Sequence, residues 1–548
     1  MAKQSASAFV KSLIGDRPQV KKDFGPYLVK NEDLQFSVAR VMACGLLKNQ
    51  FYRSKDASAK EALQLFKKAA RTDPQFLLKA AAFSRSGHMK GMVLLGLASL
   101  AGGASDSFLA HKRDQIIGIL STFGPNQLLR FVELMKSKAL GRGFGARPQK
   151  WVQAVMESWS PDKLETFTLK YPSSIKTLLR LVHPSYRDAR RHLMTYVLDR
   201  SSFHPNYGHS CPGGRRQKAV ERLKNGNSLP ATVAKTMLEY EIPWDVVKGF
   251  YAGYNSGDVG LATLTQMGLN ALLLNIRSLE QQGVFNNADG RKALKLKLNE
   301  VKNGRSIPLD FAKPYLYSTN AQVKNLLADA IADTLGNKLP ALEGRKIGLS
   351  IDVSGSMEGE ALLTAGLLAV PFLNAKNLWF TTFSDFTHRE GEIHNHTLYT
   401  GWGNSGNRLA CPKITGEDPR IQVKRLMEMQ VVGGTNLAHP VEVAIKENRK
   451  LDLFVIITDE HQNSGHRRLM TAWKNYLRQV NPRAQLWIVN ASNYDLHAAD
   501  LDDPSVIVYQ TMTPAIFKNL EFFGQDLVSA IDSFDMSKLR KVNPKRPQ

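Results

Sequence analysis

The sequence predicts a chain of two parts, an N-terminal α-solenoid over residues 1–340 and a doubly wound parallel α/β domain over residues 341–548. Three observations lead to this prediction. Short helical faces follow one another as far as residue 340, with no strand-like alternation between them. Beyond residue 340, short apolar runs alternate with helix-like segments, which is typical of a parallel sheet covered on both faces. The net charge changes at the same place.

The N-terminal part carries the pattern of short helices in succession. Gly124-Pro125 and Ser160-Pro161 place a proline at the first helical position, where its missing N–H is not needed. Apolar faces at helical spacing recur over residues 126–138, 173–183, 186–198, 232–240, 260–280, 289–302 and 320–336. We expect these helices to stack in pairs, although the identity between pairs is too weak to fix a repeat period.

The C-terminal part carries short apolar runs rich in β-branched and aromatic residues. They cover residues 347–351, 378–383, 453–457 and 486–489. Helix-like segments fall between or beside them, at 360–371, 419–430, 437–449 and 466–480. In a sheet of this kind the ligand sits at the carboxyl ends of the strands.

The positive charge of the chain is confined to its N-terminal part. The formal charge is +24, and residues 341–548 hold 23 basic and 23 acidic residues, so residues 1–340 carry all of it. This asymmetry indicates a polyanionic partner, with nucleic acid ahead of a membrane surface because there is neither a lipidation motif nor a basic amphipathic helix. A merely solvated basic surface is the alternative.

Cysteine usage and hydropathy predict a cytoplasmic location without membrane insertion. The three cysteines, Cys44, Cys211 and Cys411, are far apart in sequence, which argues against a disulfide framework. The most apolar stretch, residues 91–104, is too short to span a bilayer.

Two of the predicted strands end in acidic and hydroxyl residues. The first runs into Asp352-Val-Ser354-Gly-Ser356 and another into Thr458-Asp459, while Gly433-Gly434-Thr435-Asn436 precedes a helix. In a parallel sheet these segments converge on one rim, where they form an all-oxygen set suited to Mg²⁺ or Mn²⁺. A serine-rich turn that caps the following helix would explain Ser354 and Ser356 equally well.

Residues 346–535 resemble a von Willebrand factor A domain with a complete metal-ion-dependent adhesion site. The resemblance implies that Ser354, Ser356 and Thr435 offer hydroxyl ligands to a divalent cation, Mg²⁺ before Mn²⁺. It also implies that Asp352 and Asp459 hold the coordination shell, partly through water.

The whole chain resembles the Ro autoantigen family, whose N-terminal part is called the TROVE module. The resemblance is carried by Thr177-Leu-Leu-Arg-Leu-Val-His183-Pro184, by Gly141-Arg142-Gly-Phe-Gly-Ala-Arg147 with the following Lys150, and by the A domain with its segment 493–503. It implies HEAT-like helices stacked into a ring that the A domain closes. It also implies binding of single-stranded 3′ ends of misfolded noncoding RNAs and of Y-like small RNAs, with a 3′ exonuclease such as polynucleotide phosphorylase as a partner.

The predicted RNA contacts centre on one helix. Lys176, Arg180 and His183 share a face at offsets of four and three, where the cations can follow a phosphate backbone and the imidazole can stack on a base. Packing of Arg180 and His183 at the helix end is the alternative. The full set of predicted RNA-binding residues is Arg142, Arg147, Lys150, Lys170, Lys176, Arg180, His183, Arg187, Arg190 and Arg191.

Residues 201–229 interrupt the helical pattern and are densely basic in their second half. Arg215, Arg216, Lys218, Arg222 and Lys224 are either an extra RNA contact or part of a solvated loop. Metal binding by His204, His209 and Cys211 is disfavoured because a fourth ligand is missing.

The sequence therefore predicts a ring-shaped RNA-binding protein of RNA quality control that is not an enzyme. The alternative is a scaffold in another ribonucleoprotein, docked through its A domain. A metal-dependent hydrolase is disfavoured, because only Glu460 and His461 lie near Asp459 and no motif places them as a general base.

Overall fold

The structure is a computed structural model of the chain. It describes residues 34–44, 55–86, 90–137, 140, 143–186, 189–198, 215–300, 308–334, 342–395, 407–431, 433–459, 469–491, 503, 505–510 and 527–538. The predicted boundary between residues 340 and 341 lies outside these ranges. Among the described residues, no helix is long and apolar enough to cross a membrane.

The described part of residues 34–334 is helical, and we call it the helical module. Its α-helices are α1 (Leu34–Cys44), α2 (Lys55–Thr72), α3 (Pro74–Ser86), α4 (Gly91–Gly103), α5 (Asp106–His111), α6 (Arg113–Leu120), α7 (Pro125–Lys136), α8 (Ala146–Glu157), α9 (Pro161–Lys170), α10 (Pro172–Val182), α11 (Ala189–Leu198), α12 (Arg215–Asn225), α13 (Pro230–Glu239), α14 (Trp244–Lys248), α15 (Gly257–Gln266), α16 (Leu269–Gln281), α17 (Ala288–Leu298), α18 (Ala312–Tyr317) and α19 (Ala321–Thr334). As predicted, Pro125 and Pro161 occupy the first turn of α7 and α9.

One predicted helical segment is wrong. The apolar face over residues 260–280 belongs to two helices, α15 and α16, rather than to one. Met267 and Gly268 are both extended, with ψ values of 134° and 156°, and Gly268 is the N-cap residue of α16. Both helices carry buried apolar residues at helical spacing, and the spacing continues through the break. Spacing alone therefore could not reveal where one helix ends and the next begins.

The described residues between 346 and 538 form a sheet flanked by helices, which we call the A domain. Its strands are β1 (Lys346–Asp352), β2 (Asn377–Phe383), β3 (Thr387–Arg389), β4 (Ile393–Asn395), β5 (Asn407–Leu409), β6 (Leu453–Thr458), β7 (Gln485–Asn490) and β8 (Val506–Gln510). The main sheet has the order β3-β2-β1-β6-β7-β8, parallel except for β3, and β4 pairs with β5. The remaining helices are α20 (Glu360–Ala369), α21 (Pro419–Met427), α22 (His439–Lys446), α23 (Leu469–Gln479) and α24 (Leu527–Asp532).

The sheet is covered on both faces, so the predicted fold class is confirmed. One face packs with α20 and α21 into a core that continues into the helical module. The other face, with Phe454, Ile456 and Ile488, packs against α22 and α23. The strands are apolar along their length because both of their faces are buried.

The A domain contacts both ends of the helical module. Helices α18 and α19 pack on α20 and α21, and α24 packs on α1 and α3. Phe83 and Phe534 form an edge-to-face pair with ring centroids 5.7 Å apart, and Lys79 Nζ lies 2.9 Å from Asp532 Oδ1. The contacts therefore run in a closed path from α1 through the helical module and the A domain back to α1.

A buried ion pair ties α9 to α12. Glu165 is fully buried. Its Oε1 accepts a hydrogen bond from the backbone N–H of Gln217 at 3.3 Å, and its Oε2 lies 3.6 Å from Arg216 Nη1. Arg216 also contacts Glu241 at 2.6 Å and donates to Tyr240 O at 3.1 Å. The guanidinium of Arg216 is thus engaged inside the module, which favours a structural role for this member of the basic segment.

This pair predicts a pH dependence of stability. Burial raises the pKa of Glu165 from 4.5 to about 7, against the opposing effects of the Gln217 amide and the Arg216 charge. Since the folded state holds this proton more tightly, the free energy of unfolding should fall by about 3 kcal/mol as the pH rises from about 4.5 to 7. Glu165→Gln should remove this component. Denaturant unfolding of both proteins at pH 5 and pH 8 measures it, and equal pH dependence in the two would contradict the assignment.

Candidate metal centre and nucleic-acid interface

The predicted metal ligands meet at the carboxyl ends of β1 and β6. These strands are parallel neighbours with Ile351 beside Ile457, so Asp352 and Asp459 follow at adjacent strand ends. The Ser354 amide donates to Asp352 Oδ1 at 2.9 Å, and the hydroxyl oxygens of Ser354 and Ser356 lie 3.2 Å apart. This loop turns through a short 3₁₀ segment, Gly355–Met357, before α20 begins.

The loop that carries Thr435, which we call the threonine loop, lies against the loop that carries Ser354 and Ser356, which we call the serine loop. The Gly355 amide donates to Gly433 O at 3.0 Å, which joins the two loops directly. Gly433 has a φ of +76°, in the left-handed region that favours glycine. Thr435 is fully buried, whereas Ser356 is exposed, so the site has a closed side and a side that faces solvent.

The two carboxylates of the site are fully buried. Burial raises the pKa of Asp352 to about 7; hydrogen bonds from Thr458 and Ser354 oppose this shift, and the charge of Asp459 adds to it. Thr458 Oγ1 donates to Asp352 Oδ2 at 2.6 Å. A cation between the two carboxylates would offset the desolvation and repulsion that the protein alone leaves in place.

The donor set fits a hard divalent cation. It consists of two carboxylates and three hydroxyls, and its oxygen-only chemistry suits Mg²⁺ or Mn²⁺. The described residues contain no group of three or more His, Cys, Asp or Glu side chains that could hold a metal, so hydroxyls and water would have to complete the shell. Asn436 Oδ1 adds a solvent-shielded oxygen that accepts no hydrogen bond from the described residues.

Helix α10 presents a basic face to solvent. Its apolar face, with Ile175, Leu178 and Val182, is buried in the helical module. Lys176 is half-buried on the other side, while Arg180 and His183 are exposed. We call these three residues the α10 basic face. None of the three side chains forms a hydrogen bond or ion pair within the described ranges.

His183 ends α10 in the left-handed conformation, with φ 50° and ψ 56°. Its amide donates to Leu179 O at 3.1 Å, and Pro184 follows it, so the helix cannot continue. This turn projects the imidazole from the helix end instead of packing it against the module, and the side chain is exposed. The placement favours binding over the alternative of a packed helix end.

The neighbouring helix α8 carries two of the other predicted cations. Lys150 is exposed, and Arg147 lies 2.6 Å from Asp106 Oδ1 while remaining 38% exposed. Gln149 Nε2 reaches Val182 O at 3.5 Å, which places α8 beside the end of α10. An open cavity of about 430 Å³ lies at the start of α8, lined by Phe144, Arg147, glycines and small residues.

Two predicted RNA contacts are engaged inside the protein. Arg190 donates to Glu157 O and Trp159 O at 2.8 and 2.9 Å, and its guanidinium lies 4.8 Å from the centre of the Tyr186 ring. Lys170 Nζ lies 3.3 Å from Asp245 Oδ1. Arg191 is exposed at the start of α11, whereas Arg142 and Arg187 lie outside the described residues. Glu460, His461 and the segment around His204 also lie outside them.

Comparison with known proteins shows a similarity to Ro proteins. A family model described as the Ro60 vWA domain matches residues 346–517. The chain is 25% identical over 522 residues to the RNA-binding protein RO60 of Deinococcus radiodurans, a match that covers 88% of this chain and 91% of that protein. The chain thus matches the Ro family model over its A domain and is similar to a Ro protein over most of its length.

The chain also shares its fold with a solved Ro structure. The crystal structure of the Deinococcus radiodurans RO (RSR) protein has a TM-score of 0.69 to it, at 21% identity, and the match covers 89% of this chain and 99% of that one. The likeness extends over the helical module as well as the A domain, so the two parts occur together in both proteins.

Sequence reasoning named Thr458 at a strand end without giving it a role, and it missed Asp385; both contact residues of the candidate metal centre. Thr458 binds Asp352, and Asp385, just after β2, accepts from the Gly434 amide at 2.8 Å. Strand β2 is the other parallel neighbour of β1, so its carboxyl end reaches the same rim. Applying the strand-end rule to the predicted strand at 378–383 would have identified Asp385.

Proposed function

We propose that this protein binds single-stranded RNA through the helical module. The observation that carries the proposal is the α10 basic face, where Lys176, Arg180 and His183 project from one helix without partners among the described residues. It lies on the part of the chain that carries the whole net charge of +24. A protein that is similar to this one over most of the chain is named an RNA-binding protein.

The chemistry of binding follows from these side chains. Lys176 and Arg180 neutralise successive phosphates, and the His183 ring stacks on an unpaired base or hydrogen-bonds to it. Arg147 and Lys150 extend the cationic surface along α8 toward the cavity beside Phe144, whose half-buried ring offers a further stacking surface. Affinity then comes mainly from phosphate neutralisation and falls steeply with salt.

The closed path of contacts through the A domain supports a preference for RNA ends. A strand that enters a closed structure must be threaded from a free end, so we propose that free single-stranded ends are the ligands. The family resemblance implies that these are the 3′ ends of misfolded noncoding RNAs. The family resemblance adds Y-like small RNAs and a 3′ exonuclease such as polynucleotide phosphorylase as partners, in the cytoplasm, in RNA quality control.

The A domain would hold a Mg²⁺ ion through Asp352, Ser354, Ser356, Thr435 and Asp459. When bound, the ion supplies an electrophilic position on the solvent side, which a carboxylate of a protein partner can fill. The protein's own residues orient the ligands and shield the carboxylates. We propose that no chemical step is performed there; metal-dependent RNA cleavage that is abolished in Asp352→Ala would contradict this.

Affinity for three RNAs at about 0.15 M salt tests the proposed function. The ligands are a single strand, a blunt duplex, and the same duplex with an unpaired 3′ tail. Tight binding that depends on the tail supports threading of an end. Equal affinity for all three would leave only nonspecific attraction, and negligible affinity would overturn RNA binding.

A further inference from the structure

The turn between β2 and β3 forms hydrogen bonds with the loop that carries Thr435. The backbone N–H of Gly434 donates to Asp385 Oδ2 at 2.8 Å, and the backbone N–H of Asn436 donates to the backbone oxygen of Ser384 at 2.8 Å. These two amides belong to the residues immediately before and after Thr435. The turn therefore fixes the backbone on both sides of a hydroxyl that the metal centre requires.

The Asp385 carboxylate also packs directly on Gly433. A Cβ atom at Gly433 would lie 2.8 Å from Asp385 Oδ2 and 3.2 Å from Ser384 Oγ, so a side chain there would require the Asp385 carboxylate to shift. The carbonyl of Gly433 in turn accepts from the Gly355 amide at 3.0 Å. A continuous set of contacts thus runs from Asp385 through the threonine loop to the serine loop.

The turn itself is held in place by buried contacts. Ser384 Oγ lies 3.0 Å from His388 Nε2, and both side chains are buried. The Ser384 amide donates to Phe386 O at 2.8 Å, which closes the turn. Asp385 consequently lies on a turn that buried hydrogen bonds hold in place. The loop that carries Thr435 therefore has its conformation set before any ligand binds.

We propose that Asp385 is a positioning residue of the metal centre. Its carboxylate accepts the Gly434 amide and so places the Thr435 hydroxyl within reach of the ion, without being a ligand itself. The inference rests on the proposed metal site of the A domain. Partners of this kind orient metal ligands, and their removal typically weakens metal affinity about 10- to 100-fold.

Titration of the full-length chain with Mn²⁺, followed by electron paramagnetic resonance of the free ion, tests the proposal. Asp385→Ala should weaken Mn²⁺ affinity about tenfold or more, and Asp385→Asn, which keeps an acceptor oxygen, should stay within about threefold of wild type. Asp385→Leu, which has the same number of side-chain heavy atoms as asparagine and the same branching, is a second acceptor-free variant and should weaken the affinity as the alanine variant does. Glu428→Ala, which removes an exposed charge from the same domain, is the matched control and should not change the affinity.

Hydrogen exchange of the segment around Thr435 separates positioning from charge. In the absence of metal, the Gly434 amide should exchange faster in Asp385→Ala than in wild type or Asp385→Asn. Wild-type affinity in Asp385→Ala would overturn the inference alone, as would an asparagine variant as weak as the alanine variant, because the charge would then be what matters. Absence of Mn²⁺ binding to the wild type would overturn the metal centre itself.

Discussion

Replacing Lys176 and Arg180 with glutamate lowers the affinity for single-stranded RNA at least about tenfold at about 0.15 M salt. Both side chains project from α10 without partners among the described residues, so their substitution removes cations that neutralise phosphates and leaves the buried apolar face intact. The slope of log affinity against log salt should become shallower by about 0.7 for each phosphate of the single strand that the protein no longer neutralises. The milder pair Arg180→Ala and His183→Ala should weaken binding by a few-fold.

The control for this prediction is an equal charge change on the neutral A domain. Lys413→Glu with Lys424→Glu alters two exposed lysines there and should change the affinity little. Fluorescence anisotropy of a labelled single strand over a series of salt concentrations measures both affinity and slope. An equal drop in affinity in the two double variants would show that only overall charge matters, and wild-type affinity in the α10 variant would place the RNA elsewhere.

Asp352→Ala abolishes the stabilisation of the protein by Mg²⁺ or Mn²⁺. A ligand present at 100 times its dissociation constant stabilises the folded state by about 2.7 kcal/mol, which raises the unfolding temperature of the wild type. The variant lacks one of the two buried carboxylates and should show no shift with metal. Asp459→Ala should behave in the same way. For each protein, the unfolding temperature is measured with metal and with chelator, and the difference between the two temperatures is compared.

Two comparisons sharpen this prediction. Glu428→Ala, an exposed site on the same domain, should keep the full metal-dependent shift. The RNA affinity of Asp352→Ala should stay near that of the wild type, because the α10 basic face lies on the helical module. A metal shift that survives in Asp352→Ala would contradict the metal centre, and a large drop in RNA affinity would mean that the two parts are coupled.

Much of the fold follows from local patterns in the sequence. Apolar spacing and Pro125 predict α7 closely, Pro161 predicts the start of α9, and the apolar runs predict the central strands. The cluster of candidate metal ligands was predictable because a parallel sheet brings strand ends together, so Asp352 and Asp459 meet although they are distant in sequence. Their arrangement depends on topology more than on side-chain detail.

The rest depends on contacts that no local pattern encodes. Phe83 and Phe534 pair across most of the chain, and the closure they form came only from the family resemblance. The roles of Arg190 and Arg216 depend on which carbonyls and carboxylates the fold brings near them. In sequence, both are simply basic residues in basic segments, indistinguishable from Arg180, which the fold leaves exposed.

The most direct test of the central claim is ultraviolet crosslinking of a single-stranded RNA to the full-length protein, with the modified peptides mapped by mass spectrometry. Binding at the α10 basic face predicts crosslinks to the peptides that contain Lys176, Arg180 and His183, together with those around Phe144 and Lys150. These crosslinks should disappear when an unlabelled single strand competes. Crosslinks confined to the A domain, or spread evenly over the basic surface, would contradict binding at the α10 basic face.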